Sequence, residues 1–320
     1  MAISRAAQGA LVLFAYCSLT MFMVLCNRHL VLRVSTAWNL VFLQCSASSL
    51  CFSLVLLLAR DSPRVHRTTE TTCGLFASGI LFTAMLYSNL QAMSLLSIPS
   101  YIICKNYTTI FNAWMQRQFN LKDAQHANVF SVMLMAVGST LALALDATVV
   151  SRGVVWVILN VLLHVIFSLY SEKLQYSGKV CPLFLAWSNS TVAIVCVWAG
   201  FLMTHASLLE SLRRDFFTLH FFDMVVLILS SFLGICLGPI QTLCVSLTTI
   251  SHVAVTTSLN KIPTSIVGAV IFDTELAFLV WIFVFVALSG DLLYHVDVST
   301  LLRASSESTW DYDMVTNAEE

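Results

Sequence analysis

Apolar residues run along this chain in long blocks, without the strict alternation of a half-buried strand or the single apolar stripe of a soluble helix. A bilayer-spanning helix needs about 20 consecutive apolar residues. Blocks of that size lie near 9–32, 36–59, 72–95, 98–119, 125–145, 150–171, 181–204, 218–240, 245–269 and 271–295. Polar breaks separate them, among them RDSPRVHRTTE (60–70), RQFNLKD (117–123), SEKLQYSGK (171–179) and SLLESLRRD (207–215). The pattern predicts an all-α membrane protein with ten transmembrane helices and the lipid bilayer as its solvent. Composition agrees. Of 320 residues 58% are hydrophobic and 10% charged, against about 25% charged in ordinary soluble domains. With a net charge of −1 and no basic run, nothing points to a nucleic-acid partner.

The first apolar block is too long for the h-region of a cleaved signal peptide and no small-x-small cleavage site follows it, so it reads as a first membrane helix and signal anchor. The ten cysteines fall almost entirely inside apolar runs, with no Cys-x-x-Cys. There they behave as small hydrophobes, and neither a disulfide framework nor a metal site is expected. With a cytosolic N-terminus, that side holds Arg5, Arg60, Arg64, Arg67, Arg117, Lys122, Lys173, Lys179 and Arg303. The other side holds Arg28, Arg33, Arg152, Arg213 and Arg214. Nine against five favours both termini in the cytosol. The polar, acidic tail from Ser299 reads as disordered.

Lys105 and Lys261, the other two of the sixteen basic residues, lie within predicted spans four and nine. Ten spans divide into five and five, and an odd number of crossings inverts the second half relative to the first. Such inverted repeats typify secondary transporters with a midplane site. The expected organisation is therefore 1–148 as the first five-helix repeat, 149–298 as the second, and 299–320 as a cytosolic tail. The lysines occupy matching places, 156 residues apart, each beside an asparagine, Asn106 and Asn260.

On span four Tyr101, Lys105, Thr108, Asn112 and Gln116 form one polar stripe at helical spacing, and on span nine Thr257, Lys261, Thr264 or Ser265, and Gly268 form another. Lone hydroxyls of this kind serve equally well as interhelical hydrogen-bonding groups. The lysines are different, because a charge at mid-bilayer must face protein or water. The interiors of the first eight spans contain no acidic residue. Asp223 is near a span start, and Asp273 and Glu275 are near the turn between spans nine and ten. The lysines are thus expected to be unpaired and to attract a phosphate or carboxylate. Asn160, His164 and Ser168 on span six, and Tyr87, Ser88 and Asn89 on span three, suit either a cavity or a packing network. Trp187, Ser188, Asn189 and Ser190 combine an aromatic face with an amide that can hold a planar ligand. No metal cluster, nucleophile elbow or phosphate-binding glycine loop is present, so no enzyme activity, metal or cofactor is expected.

Thr257-Ser-Leu-Asn-Lys261, followed by Ile-Pro, resembles the Gly-Ala-Leu-Asn-Lys motif of the Golgi GDP-mannose transporters. These belong to the nucleotide-sugar branch of the drug/metabolite transporter superfamily. Ser97-Ile-Pro-Ser-Tyr-Ile-Ile-Cys-Lys-Asn-Tyr-Thr108 is similar to that family's Val-Pro-x-Tyr…Lys-Asn segment, Cys26-Asn-Arg28 to the Asn-Lys ending its first helix, and Gly268 through Phe272-Asp273 to its Gly…Phe-Phe-Asp. The resemblance runs from about Asn27 to Asp273. Thr257 and Ser258 stand where the family has Gly and Ala. Trp187 and Asn189 retain one aromatic and the first amide of its Phe-Tyr-Asn-Asn base-contacting motif.

The resemblance implies ten helices in inverted halves and exchange of a GDP-sugar such as GDP-mannose for the nucleoside monophosphate GMP in the Golgi membrane. Its candidate substrate-binding residues here are Lys261, Asn260, Ser258, Thr257, Asn189, Ser190, Ser188, Trp187, Lys105 and Tyr101. A homodimer is the candidate assembly, and an ER or endosomal vesicle the alternative location. A UDP-sugar or phosphorylated-metabolite antiporter remains open, as does a non-transporting scaffold or sorting protein with the same fold.

Overall fold

The computed structural model describes residues 5–58, 69–118, 129–176, 180–203, 207–248 and 250–296. Every regular element among them is a helix: α1 (Arg5–Val31), α2 (Ala37–Leu58), α3 (Thr69–Leu95), α4 (Ile98–Gln118), α5 (Val129–Leu145), α6 (Ser151–Tyr176), α7 (Pro182–Met203), α8 (Leu208–Thr218), α9 (Phe221–Leu247), α10 (Ile250–Ile271) and α11 (Phe278–Val296). In hydrocarbon a helix satisfies its backbone polar groups internally. Seven of these helices are long and apolar enough to cross a membrane, and α5 is apolar but shorter. The helices also turn large apolar side chains outward, such as Leu57, Phe221 and Phe278, as a lipid-facing surface requires. The protein is a multi-pass membrane protein. α4 and α10 are of similar length, 21 and 22 residues, but carry the lysines and amides that lower their hydropathy.

Two predicted boundaries are corrected. The polar stretch at 207–215 folds as the amphipathic helix α8, capped by Ser207, whose hydroxyl accepts from the Glu210 amide at 3.2 Å. Its Leu208 and Asp215 are buried while Phe216 and Phe217 are exposed. A polar break and a short amphipathic helix carry the same composition, and only the periodicity separates them. Residues 241–247, placed near or within the ninth span, belong to α9, which continues through Pro239. The tail from Ser299 lies outside the described residues, and so does the side chain of Gln116.

The helices fall into two compact units. The first contains α1 up to Cys17, α4 from Ile102, α5, α9 from Gln241, α10 and α11. Here α5 and α11 meet through glycines in a reciprocal pattern. A Cβ on Gly138 would lie 2.7 Å from the Ala287 nitrogen, and one on Gly290 would lie 2.7 Å from the Met135 nitrogen. Only glycine permits so close a crossing, the small-residue packing common between membrane helices.

The second unit contains α1 from Ser18, α2, α3, the first turn of α4, α6, α7, α8 and α9 up to Ile240. In it α3 packs on α6 and α7, and α2 on α7. Its polar side chains are tied together. Gln44 donates to Asn27 Oδ1 at 2.8 Å and to Ser230 Oγ at 2.6 Å. Asn39 donates to Asp215 Oδ2 at 2.6 Å, and the Ser35 amide donates to Asp215 Oδ1 at 3.1 Å.

Candidate functional site

In the first unit a carboxylate absent from the sequence-based candidates organises the polar residues. Asp291 on α11 is fully buried, and its Oδ2 lies 2.7 Å from Lys261 Nζ. Lys261 also donates to Asn106 Oδ1 at 3.0 Å, and the Asn106 amide donates onward to the Ala287 carbonyl at 3.3 Å. Thr109 donates to Asp291 Oδ1 at 3.3 Å, and the Ser258 hydroxyl bonds to the same carboxylate. One turn along α11, His295 Nε2 stands 3.8 Å from Asp291 Oδ1.

The expectation of an unpaired Lys261 is therefore corrected. Its counterion is 30 positions away in sequence, inside the tenth predicted span. An intramembrane carboxylate is the default partner of an intramembrane lysine, so Asp291 and the i, i+4 pair it makes with His295 were the available signals.

This cluster forms one wall of a cavity of about 310 Å³. Thr257, Ser258 and Lys261 line it from α10, Thr109 from α4, Tyr16 from α1 and His295 from α11. Lys261 keeps a fifth of its side chain exposed, whereas Asp291 has none exposed. The ammonium is thus the part of the pair that an entering anion meets.

Lys105 lies half-buried on α4, near enough to Lys261 for the two ammonium charges to repel. Thr257 donates to the Val253 carbonyl at 2.7 Å. Asn260 donates to the Cys17 carbonyl at 2.9 Å, joining α10 to α1. Beyond Pro263, which cannot donate a backbone bond, the hydroxyls of Thr264 and Ser265 bond back to the carbonyls of Asn260 and Lys261. These local bonds hold the lysine-bearing turn where the proline interrupts the backbone ladder.

The remaining candidates belong to the second unit. Trp187 donates its indole N–H to Ser53 at 2.8 Å and packs against Phe184. Ser190 bonds back to the Ala186 carbonyl at 2.9 Å. Ser188 lines a second cavity of about 310 Å³ with Thr71, Thr72 and Phe184. Asn189 is buried, and its Oδ1 has no hydrogen-bond partner among the described residues. Tyr101 donates its hydroxyl to Asn89. Asn160 bridges to the Met85 carbonyl at 2.8 Å and to Ser88 at 3.1 Å, the packing alternative for that pair. Of the ten candidates, Thr257, Ser258, Asn260, Lys261 and Lys105 thus share the first unit. Trp187, Ser188, Asn189, Ser190 and Tyr101 share the second.

No sequence-family model matches the chain. Curated proteins do. The GDP-mannose transporter of Kluyveromyces lactis is 25% identical over 307 residues, covering 90% of each chain. That of Schizosaccharomyces pombe is 24% identical, over 82% of this chain and 79% of its own. That of Yarrowia lipolytica is 23% identical, over 89% and 92%. The chain is thus similar, over about four-fifths or more of its length, to GDP-mannose transporters of several fungi.

Proposed function

We propose that the protein is a ten-span nucleotide-sugar exchanger of the Golgi membrane, carrying a GDP-sugar such as GDP-mannose against GMP, with both termini cytosolic. The observation that carries this reading is the cavity around Lys261. It is a pocket of mixed lining, with Val253 and Ala254 in its wall, an ammonium exposed to it, and small hydroxyl residues, Thr257 and Ser258, beside it. A diphosphate meets Lys261 from the cavity side, and Lys105 adds a second positive charge nearby. Charge-assisted hydrogen bonds of this kind are worth about 1.5–3 kcal/mol each.

Within the second unit, the buried and unsatisfied Oδ1 of Asn189 has the acceptor chemistry that a guanine N–H edge requires. Exchange driven by the nucleotide gradient requires no ATPase. The inverted repeat is supported by the reciprocal glycine contacts. A shift of 152 positions carries Gly138 to Gly290 and Met135 to Ala287, and so turns one contact into the other.

A non-transporting scaffold is favoured by one observation, that Lys261 is already neutralised by Asp291. Uptake into proteoliposomes separates the readings. Vesicles preloaded with GMP should accumulate GDP-mannose, while vesicles preloaded with UMP or left empty should not. Equal uptake of UDP-sugars would shift the assignment to that class, and no uptake of any nucleotide sugar would support the scaffold. In sealed Golgi vesicles a C-terminal tag should be open to protease without detergent, and protection of the tag would overturn the cytosolic termini.

A further inference from the structure

The exchange reading leaves Asp291 without a role. Lys261 spends two of its three N–H donors on Asp291 and Asn106, so a substrate phosphate that takes the third must share one ammonium charge with a carboxylate that has no exposed surface. Bringing an anion to Lys261 therefore sets a second negative charge beside a buried one. A like charge at that range, with water excluded, disfavours the ionised carboxylate. The structure offers a way out. We propose that Asp291 is a proton-loading site coupled to anion binding at Lys261: as a phosphate takes over the ammonium, Asp291 takes up one proton, and it releases that proton when the anion leaves. The inference rests on the anion-carrier reading of the same cavity.

The surroundings of Asp291 suit two protonation states. Its remaining hydrogen-bond partners, Thr109 and Ser258, are hydroxyls. A hydroxyl donates to a carboxylate and accepts from a carboxylic acid equally well, so neither state leaves an unmatched buried atom. His295 supplies a route. Its Nε2 is 3.8 Å from Asp291 Oδ1, and 22% of its side chain is exposed where Asp291 has none. It also lines the cavity. Imidazole exchanges protons with water near neutral pH. The proton passes from cavity water to His295 and from its Nε2–H to Asp291, and the charge gained equals the charge the anion displaced from Lys261.

Other titratable groups among the described residues stand around this site, Cys17 beside Tyr16 included. α10 contributes Lys261, and α4 contributes Lys105 near it. α1 contributes Tyr16 at the cavity wall, and the Cys244 thiol of α9 lies against Tyr16. α11 itself carries Tyr294 and His295 beside Asp291. The sequence of α5 has no titratable side chain. The glycine-related shift of 152 positions carries Ser139 to Asp291, so the first half of the chain has a hydroxyl where the second has the acid. Proton loading is thus expected once per carrier and not twice.

The test uses the purified full-length protein and GDP-mannose, whose diphosphate diester carries a constant charge across the neutral range. In weakly buffered solution with an indicator dye, binding should take up close to one proton per nucleotide sugar. Affinity should fall about tenfold per pH unit on the alkaline side, as one linked proton requires. Asp291→Asn should bind with no uptake and a flat pH profile. His295→Gln should still take up the proton, because the acceptor remains. Where Asp291→Asn fails to fold, the wild-type stoichiometry and the His295→Gln result decide. Binding without proton uptake in the wild type, uptake retained in Asp291→Asn, or uptake lost in His295→Gln would each overturn the proposal while leaving the carrier reading intact. Absence of any GDP-mannose binding would overturn both.

Discussion

Two buried aspartates sit among similar-looking polar residues and are held in opposite ways. Asp215, in the second unit, receives the Ser35 backbone amide and the Asn39 side-chain amide. Both are N–H groups that donate to the carboxylate where it stands. The effect is to pin α8 to α2. Asp291, in the first unit, receives an ammonium and two hydroxyls, with an imidazole nearby and a cavity alongside. Every one of those partners can be exchanged or reversed. Burial alone does not separate a structural acid from a working one. The donor chemistry around it, and whether its partner can be claimed by something else, does.

The largest effect that bears on this contrast is expected from Lys261→Ala. It leaves Asp291 buried without its counterion, and breaking a buried pair in this way costs about 3–5 kcal/mol. The variant should lose transport and also melt measurably lower in a thermal-shift assay. An unpaired lysine would have been removable at no such cost. Since Asp291 can take up a proton once its counterion is gone, the drop should be largest at alkaline pH, and an unchanged melting temperature there would mean that the pair is absent in the working protein.

The double variant Lys261→Met/Asp291→Leu sharpens the point. Replacing both charges with apolar groups of similar size is often neutral for stability. It should recover most of the lost melting temperature and none of the uptake. Recovery of uptake would make the pair structural and remove Lys261 from the anion site.

Asp215→Ala probes the other side of the comparison. It takes the acceptor from the Ser35 amide and one of three acceptors from the Asn39 amide, at about 1–3 kcal/mol. The melting temperature should drop, while the apparent affinity for nucleotide sugar in proteoliposomes stays within experimental error. A changed affinity would erase the distinction between the two aspartates.

Asn189→Ala should have the smallest effect. A single neutral hydrogen bond is worth about 0.5–1.5 kcal/mol, or up to about tenfold in affinity. GDP-sugar uptake should weaken by that amount with no loss of stability, since the oxygen removed has no partner among the described residues. Equal weakening for UDP-sugars would take the residue out of base recognition.

Legibility of the site in the sequence followed the range of the interactions involved. Lys261 could be singled out because a charge in an apolar run is costly wherever its helix faces. The stripes on α4 and α10 were partly legible, because helical period sets which residues share a face. Thr109 and Asn106, which reach α11, lie beside the predicted stripe rather than on it. The face that matters is the one another helix covers, and period alone does not say which that is. The amphipathic α8 was missed because a short polar stretch between apolar blocks reads as a loop unless its periodicity is weighed.

By itself the sequence determined that the chain lives in a bilayer as a set of helices, since uninterrupted blocks of about 20 apolar residues can satisfy their polar backbone in lipid as helices. It also marked two lysines as exceptional, since their charge is improbable in that solvent. Only the tertiary structure decided what Lys261 does with its charge. Its ion pair with Asp291 and its bond to Asn106 bring together α10, α11 and α4, and a bond between helices depends on which faces meet, a property of packing that no single helix's pattern contains.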